Sequence, residues 1–136
     1  AMDFLRLLRA EDPGVFDTRS LFWLDAHGYG FEWSLREEVH FICENSYTAF
    51  ILIDDFLVPG RDNVFQYDSY NGQVCSFNYI RTSIERSDWD LIYPEYTERT
   101  SAVHPLVGWG LICVGKRIEF PEEIKRLITY AHKRQR

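Results

Sequence analysis

The apolar positions of this chain follow helical spacing in some stretches and form short unbroken runs in others. Residues 3–10 place Phe4, Leu5, Leu7 and Leu8 mainly on one helical side, and Asp12-Pro13-Gly14 stops the segment, which predicts a short helix. The run Leu21-Phe22-Trp23-Leu24 then ends on Asp25-Ala26-His27-Gly28. Ser34 with Glu37 three residues later predicts a capping box, and Leu35, Val39 and Ile42 mark one face of a helix reaching about Asn45. A second run, Phe50-Ile51-Leu52-Ile53, ends on Asp54-Asp55 and breaks at Pro59-Gly60. Its lack of alternation predicts a strand covered on both faces. Residues 21–54 therefore read as β-α-β, with parallel strands and a right-handed crossover.

Beyond this unit, residues 61–72 are rich in Asp, Asn, Tyr and Gly and have no period, so they predict a loop long enough to be functional. A helix is expected over about 76–85, with Phe77, Ile80 and Ile84 inward, and then a short strand over 90–93 stopped by Pro94. Residues 95–105 are polar and irregular; 108–115 read as a strand bounded by glycines. Pro121 opens an expected final helix with Ile124, Leu127, Ile128 and Ala131 on one face. The order α-β-α-β-α-β-β-α predicts one α/β domain over 1–136, with 117–136 forming a C-terminal helix and basic tail.

Composition narrows this picture. In 136 residues, 46% hydrophobic and 16% aromatic content exclude a disordered chain and supply enough bulk for one core. A net charge of −6 argues against a nucleic-acid or membrane-surface partner, and the basic end His132-Lys133-Arg134-Gln135-Arg136 reads as a solvated terminus. No window has the length of a membrane span and no secretory core follows the start, so a cytoplasmic location is expected. Cys43, Cys75 and Cys113 are odd in number and sit among apolar neighbours, which predicts buried free thiols.

The candidate chemistry follows from topology. Parallel neighbouring strands end on the same side of a sheet, so Asp25 and the Asp54/Asp55 pair are expected along one rim. Two adjacent carboxylates there either cap a turn through backbone N–H groups or hold a cation between them. His27 is a candidate general base or an ordinary loop histidine. Tyr29, Phe31, Trp33, Phe65, Tyr67 and Tyr70 could line an acceptor pocket or cover the sheet edge. The glycines around Trp109 read as turn and packing residues.

With LFWLDAHG, ILIDDF and GWGLICVG closing three strands in this order, residues 15–116 resemble the carboxyl-terminal half of class I S-adenosylmethionine-dependent methyltransferases. The resemblance points to the metal-dependent branch that methylates sugar and small-molecule hydroxyls. It implies a partial Rossmann-like sheet in which 21–25, 49–54, 90–93 and 109–114 are the fourth, fifth, sixth and antiparallel seventh strands, in the spatial order 4-5-7-6. It also implies Asp25, Asp54 and Asp55 as ligands of Mg²⁺ or Mn²⁺ and a small hydroxylated acceptor, with His27, two residues beyond Asp25, placed to act as catalytic base on the same rim. The departure is that nothing between Ala1 and Ser20 resembles the family's strand, glycine-rich turn and helix, so S-adenosylmethionine is expected only if the missing half is supplied. Without that half the 21–25 edge is unpaired, which implies a homo-oligomer or a complementing chain there. The alternative is a non-catalytic binding or assembly module that dimerises through the same edge.

Overall fold

The computed structural model describes residues 2–25, 33–96 and 106–135. Helix α1 (Met2–Glu11) buries Leu5, and the one-turn helix α2 (Gly14–Asp17) buries Phe16 completely. Strand β1 (Ser20–Leu24) is followed by α3 (Leu35–Asn45) and β2 (Ala49–Asp54). The two strands are parallel neighbours, with Ser20 opposite Ala49 and Leu24 opposite Ile53. The capping box is absent: Ser34 makes no side-chain bond to a backbone N–H, and its hydroxyl donates to the buried Glu38 carboxylate at 3.0 Å instead. At the other end of α3 the Arg86 guanidinium, paired with Asp88, donates to the Cys43 and Ser46 carbonyls at 2.9 and 2.8 Å. Those are carbonyls that a helix end leaves without intrahelical partners.

The expected loop has more structure than its composition suggested. Strand β3 (Phe65–Gln66) is there, and β4 (Ser69–Tyr70) and β5 (Gln73–Val74) form a hairpin. Its two-residue turn, Asn71-Gly72, has both φ values positive (49° and 76°), which suits the right-handed twist of a hairpin. The expected 76–85 helix is shorter, with α4 (Phe77–Ile80) running into a 3₁₀ turn at Arg81–Ser83. Strand β6 (Trp89–Pro94) follows, then β7 (Leu106–Val107), which pairs with β3, and β8 (Trp109–Val114).

The expected C-terminal helix is overturned. Helix α5 (Glu122–Lys125) is a single turn, and Ile128–His132 form strand β9, antiparallel to β6. The helical spacing of Ile124, Leu127, Ile128 and Ala131 competed with an edge whose N–H and C=O groups needed partners, and the edge won. The basic end is not simply solvated either. Arg134 lies under the sheet rim, where its guanidinium meets the Asp90 carboxylate at 2.8 Å and also donates to the Cys113 and Gly115 carbonyls.

The main sheet thus has the order β1-β2-β8-β6-β9, mixed in direction, with helices packed on one face. That covered face holds Phe22, Ile51, Ile53, Ile112, Val114 and Leu91 in the core with α3 residues Leu35, Val39 and Ile42. The expectation that the 50–53 run is covered on both sides is also corrected. Burial alternates along β2, with Ala49, Ile51 and Ile53 buried and Phe50, Leu52 and Asp54 half-buried. On the second face Leu21, Trp23, Phe50, Leu52, Trp109 and Leu111 line an open apolar hollow. No helix of the described residues is long and apolar enough to cross a membrane.

Candidate acidic site at the strand ends

Because β1 and β2 run side by side in one direction, their carboxyl ends open on the same rim. Asp25, Asp54 and Asp55 line one small cavity there, together with Leu24, Trp33, Leu35, Ile53, Asp68 and Cys75. Its free volume is about 10 Å³, room for about one water-sized particle. An organic acceptor does not fit within it as it stands.

Local backbone geometry explains how the acids meet. Asp55 sits at φ 52°, a left-handed conformation that Asp tolerates better than most side chains, and its N–H donates to the Asp54 carboxylate at 3.0 Å. The turn reverses the chain so that the Asp68 N–H donates to the Asp55 carbonyl, the Cys75 N–H to the Asp68 carbonyl, and the Leu57 N–H to the Cys75 carbonyl, all within 2.9 Å. The β4–β5 hairpin is thereby docked on the end of β2, and Asp68 becomes the fourth acid. The signal for it was the Asp-rich loop, whose length alone allowed it a function and in which the sequence singled out no residue.

The thiol in this cavity stays protonated. Burial first, and then the charges of Asp55, Asp68 and Asp54, push Cys75 up to about 12. Burial likewise raises Cys43 and Cys113 to about 12, and all three cysteines are free and buried, as expected. Carboxylates alone make an oxygen-only donor set that suits a hard divalent cation. Among the described residues, however, no three acidic, imidazole or thiol groups close on one point as ligands of a metal ion. The acids share a cavity without forming a ready shell.

His27, the expected base, lies outside the described residues, as do Tyr29, Phe31 and His104. Of the expected aromatic wall, Trp33 is buried against the cavity and stacks on Tyr79 at 5.2 Å, while Phe65 is a core residue in a T-shaped pair with Tyr96. Gly108 and Gly110 serve close packing: a methyl at Gly110 would come within 2.7 Å of the Phe56 ring, and one at Gly108 within 2.1 Å of the Phe56 carbonyl. Phe56 immediately follows the acid pair, so these glycines set how tightly the end of β2 packs on β8.

No family model, curated protein or solved structure matches this chain.

Proposed function

We propose that this chain is the acceptor- and cation-binding half of an S-adenosylmethionine-dependent O-methyltransferase fold. The observation that carries the cation-binding part of the reading is the shared cavity of Asp25, Asp54, Asp55 and Asp68 at the carboxyl ends of two parallel neighbouring strands. It is supported by the order β1-β2-β8-β6, in which β8 alone opposes its neighbours β2 and β6, the arrangement implied for strands 4-5-7-6 of that family. Asp25 and Asp54 would hold Mg²⁺ or Mn²⁺, with Asp55 or Asp68 drawn in to complete an oxygen shell. When bound, such an ion lowers the pKa of an acceptor hydroxyl. The described residues ahead of β1 form α1 and α2 and not the family's strand and glycine-rich turn, so they do not supply a site for S-adenosylmethionine itself.

Isothermal titration tests this. Mg²⁺ or Mn²⁺ should bind the wild type, Asp54→Asn and Asp25→Asn should each weaken that binding at least about tenfold, and S-adenosylmethionine alone should give no heat. An absence of divalent-cation binding by the wild type rules the reading out.

A second reading, a non-catalytic assembly module, is favoured by the outer edge of β1, which no described strand pairs. The cation titration separates the two, because an assembly module has no need of the carboxylates.

A further inference from the structure

The sheet has two edges, and the chain treats them differently. On one side β9 closes β6 and Arg134 pins the closing segment down. On the other side β1 pairs, among the described residues, only inward, with β2. Leu21 and Trp23 of β1 are 63% and 65% exposed, while Phe22 between them is buried on the helix-covered face. Arg19 and Asp25 lie one residue beyond the two ends of β1, and carrying its period-two alternation past those ends puts them in one row with Leu21 and Trp23; both are exposed. This row reads base, apolar, apolar, acid. Arg19 makes no ion pair among the described residues.

A row with a base at one end and an acid at the other is complementary to its own reverse. Deepening the assembly reading and resting on it, we propose that β1 pairs antiparallel with β1 of a second copy about a two-fold axis at Phe22. In this register Arg19 lies opposite the partner's Asp25 at both ends, Leu21 opposite the partner's Trp23, and Phe22 opposite its own counterpart. Directly opposed residues of an antiparallel pair share a face, so the apolar hollows of the two copies join into one continuous stripe. Registers centred on Leu21 or Trp23 lose this match, since they place Arg19 against Trp23 or Asp25 against Leu21. Charge therefore selects one register out of those that keep the faces aligned. On the other side of the same edge, a groove of about 540 Å³ runs between α1 and β1. Phe4 and Leu7 of α1 are 65% and 58% exposed, and the pairing carries both helices toward the axis, which extends the buried area beyond the strands.

Sedimentation equilibrium with Arg19→Asp and Asp25→Arg variants tests the register, with far-UV circular dichroism confirming that each is folded. The wild type should be a dimer whose dissociation constant rises with salt. Each variant alone sets like charges opposite one another twice and should dimerise on the order of tenfold more weakly. An equimolar mixture of the two should recover the affinity, because the acids of one variant then meet the bases of the other. Dimers that neither variant weakens, and that salt leaves unchanged, overturn the register while keeping the assembly reading. A strictly monomeric wild type at high concentration overturns both.

Discussion

Glu38 shows how a single residue can depart from its element's pattern. It lies on the inward side of α3 between Leu35 and Val39, 1% exposed, with one carboxylate oxygen held by Ser34 and the other without a hydrogen-bond partner among the described residues. Burial raises its pKa, opposed in part by the Ser34 hydrogen bond. The sign follows from linkage. As pH rises past the ordinary glutamate range the unfolded chain loses this proton first, so stability falls until the raised folded value is passed. Glu38→Gln removes that dependence and should leave the protein more stable than the wild type by about 1 kcal/mol near pH 7, with the advantage shrinking toward about pH 4. Urea melts at the two pH values check it. The sequence marked position 38 as acidic, within the first turn of a helix, where an acid normally faces water. Its burial depends on what packs over it, which no local pattern reports.

At the scale of elements, β9 is the clearest case of tertiary context overriding periodicity. Its side chains suit a helix by spacing and a strand by type, since Ile128, Thr129 and Tyr130 are β-branched or aromatic. The exposed edge of β6 decided the matter. The latch is the Asp90–Arg134 pair, with side chains only 4% and 9% exposed. Arg134→Met should cost about 3 kcal/mol or more, because it leaves the Asp90 carboxylate buried without its cation. Asp90→Asn with Arg134→Met should recover part of the loss, and equilibrium denaturation of the single and double variants measures both. The β4–β5 hairpin teaches the reverse lesson. Asn71-Gly72 is a strong local hairpin signal that was present in the sequence and was absorbed into an unstructured loop.

For the whole molecule, the two faces of the sheet are unequal. Ile51 is fully buried beneath the helices, whereas its neighbour Leu52 faces the open hollow. Ile51→Ala should therefore destabilise the monomer by about 2–5 kcal/mol, and Leu52→Ala by about 1 kcal/mol or less. Denaturation at low protein concentration, where any dimer is dissociated, checks this contrast. An unbroken apolar run had suggested burial on both sides, yet apolarity states only that a face prefers to be covered. For β1 and β2 the covering falls on one side among the described elements. The same inequality motivates the proposed pairing of copies, since the open face and the open edge meet at β1.

The sequence by itself determined the β-α-β unit, the parallel direction of β1 and β2, the buried state of the three thiols, and the convergence of Asp25 with Asp54 and Asp55, because each follows from short-range pattern and one rule of chirality and connection. Only the tertiary structure decided that Asp68 joins those acids, that Glu38 is buried, that residues 128–132 pair as a strand and that Arg134 is clamped. Each of these depends on contacts between residues well separated along the chain, where the energy of satisfying a distant edge or charge exceeds the small local preference of the segment itself.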